Sequence, residues 1–313
     1  MPMNTYAIAV DLGATNVRVA LIESNGRIIH KIKNLTPKKG KNARIISDTI
    51  IEMIGMIMSA RPDIRPIGIG IASVGPLDYR HGGPVHSSNI PFAFVPLVRP
   101  LQKKFSLPVL LLNDANAGVR GEQHFGAGKN KKNLVYITIS TGIGGGVIMD
   151  GNVLLGKSGN AAEIGHMIID STYKIACMCK KGIGHWEGYA SGQNIPQFFR
   201  TWAKYHGKPI STKSYDAKGI FDQARAGDTL ARHFLDELNR INARAISNII
   251  VSYDPELITI GGSVMLQNAD LLLTGIQKYI DHLLPVPEIR ITLLGEDIGL
   301  LGAAAAVFEH VRS

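Results

Sequence analysis

The residues best suited to chemistry in this 313-residue chain sit in two stretches built to one pattern. In AIAVDLGATNVRVALIESNGRIIH a β-branched run ends at Asp11-Leu12-Gly13-Ala14-Thr15-Asn16, a second apolar run follows, and Asn25-Gly26 closes the next hairpin. VYITISTGIGGGVIMDGNVLLG repeats that order around Thr141-Gly142-Ile143-Gly144-Gly145-Gly146 and Asp150-Gly151-Asn152. Glycine lets backbone N–H groups approach an anion with no Cβ in the way, and Thr or Asn adds donors or reaches a metal. Two facing turns of this kind would clamp one polyphosphate, and two copies imply two similar lobes.

A second constellation suits a metal. The only two cysteines form Cys177-Met178-Cys179, with His166 before them and His185 after. Four soft or borderline ligands at this spacing fit tetrahedral Zn²⁺, and with no obvious fifth ligand the site reads as closed and structural. Gly182 and Gly184 permit the tight turn such a loop needs. Without a metal, the same residues are two free thiols beside an exposed loop. One further motif is rejected. Gly151-Asn152-Val153-Leu154-Leu155-Gly156-Lys157-Ser158 satisfies the P-loop expression letter for letter, yet Ser158-Gly159-Asn160 is a poor helix start and Val153–Leu155 reads as a strand.

These residues need a scaffold, and the rest of the chain supplies an α/β one. Apolar runs at Tyr6–Val10, Val17–Ile22, Arg27–Ile32, Ile67–Ser73 and Val109–Leu112 read as strands of a first lobe, with a helix over Ala43–Met58. The order recurs with Leu134–Ile139, Gly145–Met149 and Val153–Leu155. A helix over Leu230–Val251 and strands at Leu257–Ile260 and Ile289–Leu293 follow. The Ala-rich Leu301–His310 reads as a helix returning to pack across the hinge. The expected domains are 1–113 with 301–313, and 114–300.

Composition narrows the class. With 45% hydrophobic residues the chain can bury a sizeable core. No apolar run reaches the roughly 18 residues of a membrane span and no secretory leader pattern opens the chain, so a cytoplasmic address is expected. The net charge of +9 is scattered over short clusters such as Lys129-Asn130-Lys131-Lys132, which read as solvated loops rather than a nucleic-acid surface.

Five motifs in this order resemble the ROK sugar kinases, within the actin, Hsp70 and hexokinase fold group. They are the two Gly/Thr turns, Asn113-Asp114-Ala115-Asn116, Glu163-Ile164-Gly165-His166, and CMCKKGIGHWEGYASG from Cys177 to Gly192. The resemblance covers essentially the whole chain and implies a two-lobed actin-like ATPase (ribonuclease H-like) fold.

It also implies an ATP- and Mg²⁺-dependent transfer to the 6-hydroxyl of glucose or an N-acylated hexosamine such as N-acetylmannosamine. Asp114, at the carboxyl end of an apolar strand, is the expected catalytic base, although an Asn-Asp pair is also a common turn or helix cap. The resemblance implies sugar contacts from Asn89, Asn113, Glu163, His166 and Glu187. Pocket shape around Ser73, Gly75 and Asn89 would govern discrimination among sugars. Asp11, beside Gly13, Thr15 and Asn16, is expected to position Mg²⁺, and Thr141, Gly142, Gly144 and Gly145 to complete the phosphate clamp. Gly261 and Gly262 resemble the segment against which adenosine packs.

In the metal loop His185 stands where the family usually has a third Cys, so the set here is Cys₂His₂: His166, Cys177, Cys179 and His185. Family members commonly form dimers or tetramers, which is the expectation here. The competing readings are a sugar-responsive regulator and a silent sugar-binding or scaffolding relative. With the first strand beginning by Tyr6, no room is expected for a helix-turn-helix.

Overall fold

The computed structural model describes residues 5–40, 42–87, 90–209 and 215–311. In chain order they form β1 (Tyr6–Leu12), β2 (Asn16–Glu23), β3 (Ile28–Leu35), α1 (Arg44–Ala60), β4 (Pro66–Ser73), β5 (Leu77–Asp78), β6 (Gly83–Pro84), α2 (Val98–Phe105), β7 (Val109–Asn113) and α3 (Asp114–Phe125). They continue with β8 (Leu134–Ile139), β9 (Ile143–Met149), β10 (Asn152–Val153), α4 (Glu187–Ala190), α5 (Ile195–Tyr205), α6 (Ala217–Arg225), α7 (Thr229–Tyr253), β11 (Leu257–Gly261), α8 (Ser263–Gln267), α9 (Ala269–Gln277), β12 (Glu288–Ile291) and α10 (Ile298–His310). Among them no helix is long and apolar enough to cross a membrane.

The chain divides into two compact units. The first runs to Asn130 and includes Val153–Ala161 and the described residues from Glu296 onward; the second is Lys131–Asn152 with Ala162–Gly295. The changeover expected after residue 113 thus falls inside the first unit, because α3 follows β7 without a break and packs on α10.

The first unit is built on a five-stranded sheet of order β3-β2-β1-β4-β7, antiparallel from β1 to β3 and parallel from β1 to β7. The two faces of β4 show how it is covered. Ile69 and Ile71 join a core with Ile46, Ile50, Met53, Ile54 and Ile57, the apolar stripe of α1. The alternate residues Gly68 and Gly70 admit α10, since a Cβ on Gly70 would lie 2.0 Å from the Ala303 carbonyl oxygen. On its other side α10 meets α3 so closely that a Cβ on Gly302 would fall 1.6 Å from the Ala117 oxygen. A helix buried all round must be apolar all round and small where backbones touch, and LGAAAAVF is both. So α10 packs on β1, β4 and α3 within the first unit.

The second unit repeats the topology as β10-β9-β8-β11-β12, with β8 and β9 antiparallel and β8, β11 and β12 parallel. Its main helix, α7, starts where the Asp228 side chain accepts the Ala231 N–H at 2.7 Å. It buries Phe234, Leu235, Leu238, Ile241, Ile246 and Ile249, and Phe198, Phe199 and Trp202 of α5 pack their rings on Phe234. The strand expected over Val153–Leu155 shortens to Asn152–Val153, because the chain from Val153 to Ala161 joins the first unit. No helix among the described residues opens at Lys157, in keeping with rejection of the P-loop match.

Candidate functional site

In the first unit Leu12, Ser73 and Asn113 align in register at the carboxyl ends of β1, β4 and β7. The segments that follow them therefore share one edge of the sheet, where ligands of open α/β sheets gather. Asn113 caps α3, its Oδ1 accepting the Ala115 N–H at 3.0 Å, and Asp114 Oδ1 accepts the same N–H at 2.8 Å. Cap and site readings coincide here: the cap fixes both side chains at the helix start, where a carboxylate is favoured. Gly75 makes room beside them, since a Cβ there would lie 3.1 Å from Asn113 Nδ2. Ser73 is completely buried and donates its hydroxyl to the Val74 carbonyl at 3.1 Å, so that group serves the backbone. Asn89 lies outside the described residues.

The β1–β2 turn is held from within. The Gly13 N–H donates to the Asn16 carbonyl at 2.9 Å, so it closes the turn rather than pointing at an anion. Thr36, which nothing in the local sequence singles out, clamps the same turn. Its N–H reaches the Thr15 oxygen at 2.9 Å and its hydroxyl the Gly13 oxygen at 2.7 Å. Asp11 is paired with Arg18, whose Nε donates to Oδ2 at 2.9 Å and whose Nη2 contacts the same oxygen. Arg18 also approaches Asp297 at 3.7 Å, and Asp297 is paired with Lys31 at 2.8 Å. Burial pushes the Asp11 carboxyl up, Asp297 adds to this, and Arg18 opposes it. Arg18 is the direct cross-strand partner of Asp11, so the hairpin register contains the signal for it.

In the second unit the glycines of the β8–β9 motif have separate jobs. Gly142 admits Glu187: a Cβ there would lie 2.6 Å from Glu187 Oε2, which accepts the Ile143 N–H at 2.9 Å. Gly145 instead receives Ile164, whose Cδ1 would be 2.4 Å from a Cβ, and Gly165 would meet the Ile143 oxygen at 2.2 Å. Those two glycines seat the Glu163–His166 segment on β9. Glu163 Oε2 lies 3.3 Å from His166 Nδ1, and this contact, aided by Glu187, holds the imidazole above its usual pKa against the effect of burial.

Ala162, just before Glu163, has a φ of 62°. A left-handed Ala costs roughly 1–2 kcal/mol, part of which the entropy of an unfolded Gly offsets. Ala162→Gly is expected to raise stability by roughly 0.5–1 kcal/mol, read as a higher denaturation midpoint at unchanged slope.

The metal-ligand candidates come together as the spacing predicts. The ligand atoms of His166, Cys177, Cys179 and His185 all lie within 4.8 Å of one another, and Cys179 Sγ is 3.5 Å from His185 Nδ1. Two such ligands on a tetrahedral zinc would be about 3.6 Å apart, so the donor set fits Zn²⁺. The loop reaches this geometry through bridges between Ile168 and His185 and between Ala176 and Ile183. Gly182 is needed because a Cβ would lie 2.3 Å from His185 Nε2. Sequence reasoning missed Asp170. Its buried carboxylate accepts the N–H groups of Thr172 and Tyr173 at 2.9 and 3.0 Å and the Tyr189 hydroxyl at 3.0 Å, with Arg244 at 3.3 Å. Burial pushes the Cys177 thiol up to about 12, so a metal binding there must expel its proton.

Gly261 and Gly262, expected to lie against adenosine, end β11 and lead into α8. Gly262 has a φ of 86° and a Cβ on it would lie 2.4 Å from the Ile139 oxygen, so only glycine suits the position. Beside it is a cavity of about 200 Å³ lined by Lys218, Phe221 and Arg225 of α6 and Ser263, Val264 and Gln267 of α8. Nothing in the sequence points to the α6 residues of this cavity, which are separated along the chain from the α8 residues they line it with.

Known proteins resemble this chain over nearly its whole length. A glucokinase of Pyrobaculum calidifontis is 36% identical over 304 residues, covering 96% of this chain and 95% of its own. An N-acetylmannosamine kinase of Salmonella heidelberg is 30% identical over 304 residues, covering 95% of this chain and 96% of its own. A ROK family glucokinase from Streptomyces griseus, solved with glucose and AMPPNP, matches with a TM-score of 0.78 at 28% identity over 97% of this chain and 99% of that one. The fold is thus the two-lobed actin-like ATPase type that the family resemblance implies. Residues 7–310 match the profile of the ROK family, and the chain belongs to it.

Proposed function

We propose that this protein is an ATP-dependent hexose kinase transferring the γ-phosphate to the 6-hydroxyl of glucose. The observation that carries the reading is the shared sheet edge of the first unit, which gathers a Gly/Thr turn, Gly75 and the capped Asn113-Asp114 pair. Asp114 accepts the proton of the attacking hydroxyl while the phosphoryl group moves, and most of the rate comes from positioning and charge stabilisation. Asn113, Glu163, His166, Glu187 and Asn89 bind sugar hydroxyls. The turns at 13–16 and 141–144 serve the phosphates, and the cavity beside Gly262 and Ser263 serves adenosine. Asp11, with one oxygen already held by Arg18, would help hold Mg²⁺, which when bound would neutralise charge on the transferring phosphates. Zn²⁺ at His166, Cys177, Cys179 and His185 braces the loop that carries Glu187.

Glucose is preferred over N-acetylmannosamine in this reading because the glucokinase relative is the more similar of the two kinases, 36% against 30% identical. The test is kcat/KM for glucose, mannose, N-acetylmannosamine, N-acetylglucosamine and fructose. Glucose is expected to lead by about tenfold or more. A lead for N-acetylmannosamine would remove the glucose assignment and leave the kinase.

A further inference from the structure

Glu187 makes a contact that a sugar-binding role does not explain. Its Oε2 accepts the Ile143 N–H at 2.9 Å, and the same oxygen lies 2.6 Å from where a Cβ on Gly142 would be. A carboxylate is therefore seated on the very turn expected to take phosphate. The turn is fixed around it, with the Ser140 N–H bonded to the Gly142 oxygen at 2.9 Å and the Gly192 N–H to the Ser140 oxygen at 2.7 Å. The other carboxylate oxygen faces the Cys177 sulfur at 3.9 Å. Glu187 opens α4, whose Gly188 lies against the Cys177 backbone, so the metal loop and the turn meet at this one side chain.

We propose that Glu187 guards the phosphate turn. With no hexose bound, its carboxylate occupies the Ile143 N–H and repels the nucleotide phosphates; a hexose whose hydroxyls draw it away opens the turn, so hexose binds before ATP. This deepens, and rests on, the kinase reading of the same site. The exchange is energetically close, since the carboxylate trades one charge-assisted hydrogen bond for another. Hexose binding then has only to tip the balance, while the removal of a negative charge from the turn acts fully on the incoming phosphates. The opposite role, in which Glu187 supports the turn in its phosphate-binding shape, predicts the opposite sign on nucleotide affinity.

Calorimetric titration with the Mg²⁺ complex of a non-hydrolysable ATP analogue separates the two. Wild-type protein is expected to bind the analogue about five- to tenfold more tightly with saturating glucose than without. Glu187→Ala without glucose should reach that tighter value. Glu187→Gln should fall between, because its amide oxygen still accepts the Ile143 N–H but carries no charge. Binding by both variants that is unchanged or weaker than wild type without glucose overturns the proposal and makes Glu187 a support. Thermal melts establish that each variant is folded, and Glu187→Gln alone decides if the alanine variant is not. Absence of analogue binding by wild type with and without glucose would instead defeat the kinase reading, and this proposal with it.

Discussion

Asp114→Asn is expected to lower kcat for hexose phosphorylation about a thousandfold while KM for hexose and ATP stays within a few-fold. Asp114 is the first residue of α3, and its Oδ1 accepts the Ala115 N–H at 2.8 Å, a bond an asparagine oxygen of the same shape can keep. Asn113 continues to cap the helix through its own 3.0 Å bond. The substitution therefore keeps these helix-start bonds while removing the negative charge and the capacity to take a proton. Steady-state kinetics beside a thermal melt check this; a fall of less than tenfold, in protein melting like wild type, would move the base elsewhere.

Loss of the metal should be the second large effect. Protein purified without chelator is expected to carry one Zn²⁺ per chain, measured by atomic emission. Cys179→Ser is expected to lose it, to melt at a lower temperature, and to show a fall on the order of 10- to 100-fold in kcat/KM for hexose. The reason lies in the loop. Cys177, Cys179 and His185 fall within nine residues held by two isolated bridges, and Gly184 leads directly through His185 and Trp186 into Glu187. His166, the remaining ligand, is itself an expected sugar contact. Because both thiols must lose protons to bind, zinc should be retained at neutral and alkaline pH and released progressively on acidification. Metal-free protein with full activity and an unchanged melt would contradict the assignment.

Much of this was legible where chemistry and local pattern coincide. The two strand-turn-strand motifs announce themselves because β-branched runs alternate with glycine turns. The long helix over Thr229–Tyr253 was placed within two residues by its periodicity alone. The four metal-ligand candidates were named from residue type and spacing, and they cluster.

Other features could not be read because their cause is distant in sequence. The helix over Asp114–Phe125, DANAGVRGEQHF, carries two glycines and little apolar periodicity; its stability comes from α10, which its Gly121 lets approach. Thr36 clamps the first turn and Asp170 orders the metal loop through partners set by the folded chain. The Gly-rich run after Thr141 looked like a uniform phosphate cradle. In the structure Gly142 faces a carboxylate and Gly145 an isoleucine, a distinction that the letter G does not carry. Val153–Leu155 has the composition of a strand but leaves the sheet after Val153.

The most direct test of the central claim follows the fate of the γ-phosphate. Purified, zinc-loaded protein incubated with Mg²⁺, ATP and glucose should convert ATP to ADP and glucose 6-phosphate in equal amounts by ³¹P NMR, with Asp114→Asn nearly silent. ATP left intact with every hexose of the panel, or phosphate released only to water, would contradict it.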